Sequence, residues 1–290
     1  MSTIIENDFI RVRIRSKGAE LYSVFNKKTA LEYMWSGDPF HWAKTSPVLF
    51  PVVGALKANS YHYDNKEFIL PRHGFARDHL FELESQSWER VSFILRDNED
   101  TRNQFPFPFL LRIVYQLNNA LLTVSYEVIN KGDAIMYFSL GAHPAFKVPL
   151  LEESSYEDYY LEFNSTEEAP CFRLSPEGLI KNETYSVLHQ VSKLPLKKSL
   201  FYQDALVFKN LKSDCISLKS IRHSHGLDFS FAGFPYFGLW AAKDADFICL
   251  EPWSGIADRV DHNQQLMDKE GIQELKPGLM WSRNWSIKSY

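Results

Sequence analysis

Apolar and polar residues alternate along most of this chain with a period of two. Residues 9–15 place Ile10, Val12 and Ile14 on one face and three arginines on the other. Such alternation is typical of a β-strand with one buried face. Because the same period recurs from the first residues to the last, the sequence predicts a protein built mainly from strands.

Two hairpins are predicted where a pair of alternating segments flanks a turn rich in Asn or Asp, residues that tolerate the backbone of tight turns. Their segments are 61–63 and 67–70 around Asp64-Asn65, and 110–117 and 120–129 around Asn118-Asn119, with another turn at 131–133. Further strands are predicted at 87–95, 159–163, 205–208, 216–218, 237–241 and around Ile287.

Helical periodicity is confined to residues 256–269 and 186–194. The expected fold class is therefore all-β, with many antiparallel strands. So many strands bury their faces either in two packed sheets or in a barrel, and we favour the sandwich. No linker-like segment and no repeat of fixed period divides the chain, so residues 1–290 are expected to form a single domain.

Composition narrows the possible partners. The 290 residues are 45% hydrophobic and 15% aromatic, enough for a sizeable core, and the formal net charge is -4. A negative net charge of this size does not predict binding to nucleic acid or to an anionic membrane. The chain starts without a signal-peptide pattern and has no apolar run near the ~18 residues that span a bilayer. We expect a cytoplasmic protein, and the sequence predicts no oligomeric state.

Three ionisable residues stand where apolar runs end. His143 and Glu251 each precede a proline, and His73 precedes a glycine. A proline cannot donate a ladder hydrogen bond, so each strand is expected to stop where the titratable side chain appears. Histidine and a buried carboxylate can both exchange protons near neutral pH. The pattern predicts a candidate acid/base triad.

Other chemistries have weaker support. His223 and His225 lie on one face of a strand, but the nearby acidic residues lack convincing metal-ligand spacing. A metal-dependent β-fold enzyme using these two histidines remains an alternative, while the preferred interpretation has no metal. No phosphate loop or dinucleotide fingerprint is present, so no cofactor is predicted. Three widely spaced cysteines are interpreted as reduced thiols: Cys171, Cys215 and Cys249.

Four short segments together carry a family resemblance. In chain order they are Leu49-Phe-Pro-Val-Val-Gly54, Arg72-His-Gly-Phe-Ala-Arg77, Gly141-Ala-His-Pro144 and Leu250-Glu-Pro-Trp253. This order resembles aldose 1-epimerases of the galactose mutarotase superfamily, and the bacterial LacX-like branch in particular. The resemblance extends to Leu275-Lys-Pro-Gly278. It implies a β-supersandwich and a small-molecule sugar as the substrate.

The resemblance also implies catalytic roles. Glu251 matches the general base that removes the proton from the anomeric hydroxyl, and His143 matches the acid that protonates the ring oxygen. His73 matches a second histidine that hydrogen-bonds the reacting oxygens. Asp204 is similar in position to an aspartate that binds sugar hydroxyls. The implied reaction is mutarotation of a hexose by ring opening and re-closure.

Substrate selectivity is left open. Further substrate-binding candidates are the cations Arg77 and Lys57, and the aromatic residues Trp253 and Phe237, which could stack on a sugar ring. Galactose-type mutarotases carry an Asn-Arg pair where this chain has residues 53–57, so the resemblance implies no preference for galactose. Two alternatives are a hexose-6-phosphate 1-epimerase and a non-catalytic sugar-binding or regulatory module.

Overall fold

The computed structural model describes residues 2–290, and strands dominate it. The single α-helix of this range is α1 (Glu99–Gln104). Short 3-10 segments are Lys57–Asn59, Ala76–Asp78, Tyr156–Asp158, Lys198–Phe201 and Leu266–Asp268. None of the helices in residues 2–290 has the length and apolar character needed to cross a membrane.

The strands, in chain order, are β1 (Ser2–Glu6), β2 (Ile10–Arg15), β3 (Glu20–Asn26), β4 (Leu31–Glu32), β5 (Val48–Leu49), β6 (Ser60–Tyr63), β7 (Lys66–Ile69), β8 (Glu82–Gln86), β9 (Arg90–Arg96), β10 (Phe109–Asn118), β11 (Leu121–Asn130), β12 (Met136–Phe138), β13 (Leu140–Ala142), β14 (Ala145–Lys147), β15 (Tyr159–Glu167), β16 (Pro170–Leu174), β17 (Ile180–Ser186), β18 (Val191–Pro195), β19 (Leu206–Lys209), β20 (Cys215–Ser220), β21 (Leu227–Ser230), β22 (Tyr236–Trp240), β23 (Phe247–Ser254), β24 (Gln273–Leu275) and β25 (Met280–Ser289).

Two large antiparallel sheets form the body of the protein. The nine-stranded sheet has the order β18-β15-β20-β21-β25-β11-β10-β9-β8. The eight-stranded sheet has the order β17-β16-β19-β22-β23-β13-β5, with β14 also paired to β23. Strands β1 to β4 form a separate four-stranded sheet, and two hairpin-sized sheets pair β12 with β24 and β6 with β7. The prediction of an all-β fold of many antiparallel strands is confirmed.

Aromatic rings connect the two large sheets. Phe229 of the nine-stranded sheet lies 5.8 Å from Phe146 and 6.2 Å from Phe237, measured between ring centroids, and both partners belong to the eight-stranded sheet. At the β5 edge, Phe50 lies 5.0 Å from Phe109 of β10. These buried rings all belong to one continuous core. Such a core forms where the side chains on the inner faces of two stacked sheets interdigitate.

The predicted hairpins are confirmed. Asp64 and Asn65 form the turn between β6 and β7 with positive φ angles of 49° and 57°, the backbone that Asp and Asn tolerate. The second hairpin differs by one residue, because Leu121 pairs with Asn118 and leaves residues 119–120 in the turn.

Both helix predictions are wrong. Residues 186–194 overlap β17 and β18, and residues 256–269 contain only one 3-10 segment. In the second segment the backbone of Asp258 hydrogen-bonds other parts of the chain: its N–H donates to Ala55 and its carbonyl accepts from Ile180. These bonds replace a helical ladder. The helix that does form, α1, was missed; it is six residues long and capped by reciprocal bonds between Asn98 and Thr101.

A buried ion pair lies beside this irregular segment. The Lys269 ammonium is 2.7 Å from the Asp258 carboxylate, and each side chain is 1% exposed. Burial opposes ionisation of Asp258, but its contacts with His262 and Lys269 outweigh that effect and lower its pKa to about 2. The same carboxylate accepts the backbone N–H of Lys57 at 2.9 Å. The pair therefore joins the segments around residues 57 and 258.

Replacing the cation of this pair is expected to destabilise the fold. Lys269→Met leaves the Asp258 carboxylate buried without its counter-charge, which typically costs about 3–5 kcal/mol. Denaturant unfolding of this variant should show that loss relative to the exposed control Lys212→Met. Equal unfolding free energies for the two variants would contradict a stabilising role for the pair.

Candidate active site

A cavity of about 300 Å³ opens on the face of the eight-stranded sheet that points away from the nine-stranded sheet. A small apolar cluster forms its floor, separate from the main core. The cavity is lined by Trp42, Gly54, Ala55, Arg72, His73, Arg77, His143, Leu174, Gly178, Ile180, Asp204, Ala205, Val207, Trp240, Glu251, Trp253, Ile256 and Ala257.

Strand β23 supplies two of the central side chains. Successive strand residues point to opposite faces, so Glu251 and Trp253 share the cavity face. Glycines on both neighbouring strands leave room for the indole of Trp253. A Cβ atom at Gly238 would lie 2.6 Å from its six-membered ring, and one at Gly141 would lie 2.6 Å from its Cδ1 atom. The cavity floor therefore depends on small residues in β13 and β22.

His143 and Glu251 form a close buried pair. His143 follows β13, and its Nε2 atom lies 3.2 Å from Glu251 Oε2. Trp42 stacks on the His143 ring at 4.9 Å, and the Trp240 ring meets it edge-on at 5.6 Å. These rings cover the pair, which is otherwise buried by the sheet.

Burial governs the charge of this pair. It lowers the pKa of His143 to about 3 and raises the pKa of Glu251 well above its usual range, with the Asp204 charge adding to the second effect. The nearby indole N–H of Trp253 opposes this rise in the pKa of Glu251, although it does not form a hydrogen bond with the carboxyl group. The two groups therefore hold one proton between them, and their titration belongs to the pair.

His73 presents a defined tautomer to the cavity. Its Nδ1 atom accepts a hydrogen bond from the Gly54 N–H at 3.1 Å, so the proton of the neutral ring is on Nε2. Burial lowers the pKa of His73 well below its usual range, and the neighbouring His143, Arg77 and Arg72 add to that effect because they disfavour a second positive charge. The His73 ring lies 5.9 Å from that of His143. His73 is thus a neutral N–H donor beside the acid/base pair.

Unusual backbone angles occur at two site residues. His73 has a φ of 69° and Asp204 a φ of 146°, both in the region that favours glycine. Such conformations cost about 1–3 kcal/mol each and concentrate at functional sites. Asp204 precedes β19, and its Oδ1 atom accepts the N–H of Ala205 at 2.7 Å. The strained backbone directs both side chains into the cavity.

Two guanidinium groups form one wall. Arg77 donates from Nη2 to the Arg72 carbonyl at 2.8 Å, while its buried Nε atom has no hydrogen-bond acceptor within residues 2–290. Arg72 donates to the Glu177 carbonyl at 2.7 Å. Its guanidinium occupies the space beside Gly178, where a Cβ atom would clash with it. This wall of the cavity carries two guanidinium groups, and the Asp78 carboxylate lies 3.8 Å from Arg77 Nε.

The structure brings six of the eight sequence-derived candidates to this cavity: Glu251, His143, His73, Asp204, Arg77 and Trp253. It does not bring Lys57 or Phe237 there. The Lys57 ammonium donates to the His262 carbonyl at 3.0 Å. Phe237 lies on the core face of β22, with its ring 4.3 Å from that of Phe231, because the alternation of β22 turns Gly238 toward the cavity.

Among the cavity residues that the sequence analysis did not name as site candidates are Trp42, Arg72 and Trp240. Arg72 had a signal, since it immediately precedes His73. Trp240 lies two residues after Gly238 on β22, so both residues point to the same face of the sheet. The sequence identifies Trp240 only once the cavity face of β22 is known. Trp42 lies in the irregular segment between β4 and β5, where no periodicity identifies it.

The alternative metal pair lies elsewhere. Neither His223 nor His225 lines the cavity, and their rings are 5.6 Å apart. His223 Nε2 is instead 2.8 Å from the Tyr159 hydroxyl. A hydrogen bond within the fold therefore accounts for one of the two imidazoles.

The structure thus holds a buried carboxylate–histidine pair in a cavity on one face of a β-sandwich. Residues 1–270 match the sequence profile of the aldose 1-epimerase family, and the chain belongs to that family. It is 34% identical over 286 residues to the chromosomal and plasmid LacX proteins of Lactococcus lactis subsp. lactis, covering 96% of this chain and 95% of each relative.

Solved structures agree with this assignment. A galactose mutarotase related enzyme from Lactobacillus acidophilus superimposes with a TM-score of 0.95 at 35% identity, covering 100% of this chain and 97% of that one. A galactose mutarotase-like protein from Lactobacillus casei ATCC 334 gives a TM-score of 0.93 at 30% identity, covering 100% of both chains. The predicted galactose mutarotase-like sandwich and the resemblance to LacX are confirmed.

The proton shared by His143 and Glu251 can be located directly. We expect the His143 ring to stay neutral from about pH 8 down to about pH 5, the range in which an ordinary histidine gains its charge. Imidazole ¹⁵N chemical shifts of specifically labelled protein would report this, with the exposed His189 as an internal reference. A free-enzyme His143 that is fully imidazolium near neutral pH would contradict the assignment.

Proposed function

We propose that this chain is an aldose 1-epimerase that interconverts the α and β anomers of a hexose. The observation that carries the proposal is the 3.2 Å contact between His143 and Glu251 inside a cavity of about 300 Å³. Mutarotation needs one proton removed from the anomeric hydroxyl and one delivered to the ring oxygen. A single acid/base pair is sufficient for this exchange.

The proposed reaction begins with the shared proton on His143, reached by transfer across the contact with Glu251. The Glu251 carboxylate then takes the proton of the anomeric hydroxyl, and His143 gives its proton to the ring oxygen. The C1–O5 bond breaks as the C1 carbonyl forms. Rotation about C1–C2 and re-closure with the two roles reversed give the other anomer, and the pair again holds one proton.

Neighbouring groups would position the sugar. In this proposal the Nε2–H of His73 donates to an oxygen that gains negative charge, which is where preorganised donors contribute most. The carboxylate of Asp204 can accept from sugar hydroxyls. Trp42 and Trp253 give apolar surfaces on which a sugar ring can stack, with polar groups fixed between them.

Loss of the base should abolish most of the acceleration. Glu251→Gln keeps the shape of the side chain but removes its basicity, so the enzymatic rate should fall by about 10²–10⁴-fold. Polarimetry of freshly dissolved α-glucose and α-galactose, corrected for the rate in buffer, measures this directly. The matched control is Glu274→Gln, an exposed carboxylate on β24.

Two results would contradict the proposal. Equal acceleration by the wild type and Glu251→Gln would remove Glu251 from the reaction. Saturable sugar binding without any acceleration over buffer by the wild type would favour a sugar-binding or regulatory module of the same fold.

The arginine wall favours a second candidate, mutarotation of a hexose 6-phosphate. Arg72 and Arg77 both line the cavity, and the buried Arg77 Nε–H has no acceptor within the described chain. Guanidinium groups bind phosphate oxygens through paired hydrogen bonds. This wall would therefore bind a phosphate group more strongly than a neutral hydroxymethyl group.

Arg77→Gln separates the two substrates. If the phosphorylated sugar is preferred, the variant should lose about tenfold or more in kcat/KM for glucose 6-phosphate, corresponding to a charged hydrogen bond of about 1.5–3 kcal/mol. The rate with glucose should change much less. Polarimetry with both sugars gives the comparison, and a wild type that accelerates only the neutral sugars would exclude this candidate.

A further inference from the structure

Cys249 is a buried thiol that the proposed reaction does not use. It lies two residues before Glu251 on β23, so both side chains leave the same face of the strand. Cys249 is 0% exposed. The sulfur, a carboxylate oxygen of Glu251 and a ring nitrogen of His143 all lie within 4.8 Å of one another.

This donor set matches that of a zinc site. Nitrogen, thiolate sulfur and carboxylate oxygen are the ligands that Zn²⁺ takes in proteins, usually in a tetrahedron. Zinc bonds of about 2.0–2.1 Å place two tetrahedral N and O ligands about 3.3 Å apart. The His143 Nε2 and Glu251 Oε2 atoms already lie 3.2 Å apart, and the Cys249 sulfur lies within 4.8 Å of a ligand atom of each residue.

The fourth position of such a tetrahedron is available on the cavity side. His143 and Glu251 both line the cavity, whereas Cys249 lies behind them. An ion entering through the cavity would therefore meet the pair first and the thiol last. Water can complete its coordination.

We propose that His143, Cys249 and Glu251 form a binding site for Zn²⁺, and that the ion inhibits the enzyme by occupying its acid and base. On binding, the thiol proton and the proton shared by His143 and Glu251 pass to the buffer. The inhibitory effect rests on the proposed epimerase function. Binding of the ion does not.

Cobalt tests the binding without any assay of activity. Co²⁺ added to the purified wild-type protein should give a thiolate-to-cobalt charge-transfer absorption and the visible bands of a tetrahedral ion. The band should be lost in Cys249→Ala and kept in Cys171→Ala, a control that removes another fully buried thiol, on β16. No charge-transfer band in the wild type, or an equal band in Cys249→Ala, overturns the site.

Zinc tests the inhibition. Polarimetric rates of the wild type and Cys171→Ala should fall with added Zn²⁺, and higher sugar concentration should relieve the effect. Cys249→Ala should need about tenfold or more Zn²⁺ for half inhibition of its own rate. Equal inhibition of all three proteins overturns the proposal. Cys249→Ser, with near-ultraviolet circular dichroism, replaces the alanine variant if that variant does not fold.

The two proposals fail in different ways. If the wild type shows the cobalt band but does not accelerate mutarotation, the epimerase proposal is contradicted and the metal-site proposal is supported. A wild type that accelerates mutarotation without binding cobalt loses the metal site and keeps the epimerase assignment.

Discussion

The alternation of β23 is the constraint on which the rest of this site depends. Glu251 and Trp253 face the cavity, while Leu250, the residue before Glu251, packs into the main core. A slip of one residue would exchange the two faces and bury the carboxylate between the sheets. Two glycines help to fix the register, because Gly238 pairs with Glu251 and Gly141 pairs with Trp253, and a side chain at either would meet the indole.

The sandwich also creates the electrostatics that the pair needs. In water a carboxylate and an imidazolium at this distance would attract each other by roughly 1 kcal/mol, whereas burial penalises both charges and favours the neutral imidazole of His143 and the protonated carboxyl of Glu251. Trp42 and Trp240 complete that burial from the open side. The apolar environment therefore holds the resting proton on Glu251 and leaves the His143 imidazole neutral.

Period-two alternation predicted the fold class and eleven of the 25 described strands, because one buried face is a local property of the sequence. Alternation alone does not show which face of a strand points to the core and which to the cavity. Phe237 was therefore predicted to bind substrate, whereas Gly238 is the β22 residue on the cavity face. The expectation that each strand stops at its titratable residue is correct for His143, which follows β13, and wrong for Glu251, because β23 continues through Pro252 to Ser254. His73 lies in the turn after β7, and all three residues still line one cavity. Trp42 was not predicted, since its position follows from long-range packing of an irregular segment.

The buried ion pair connects global stability to the site. The Asp258 carboxylate accepts a hydrogen bond from the Lys269 ammonium. The backbone N–H of Asp258 donates to the carbonyl of Ala55, the residue that follows Gly54. Gly54 in turn determines which nitrogen of His73 carries the proton. Because a Cβ atom at Gly54 would lie 2.4 Å from that of Ala257, these two segments pack too closely to move independently. The ion pair between Asp258 and Lys269 therefore helps to orient the strained donor His73. The orientation of this donor depends on residues that do not line the cavity.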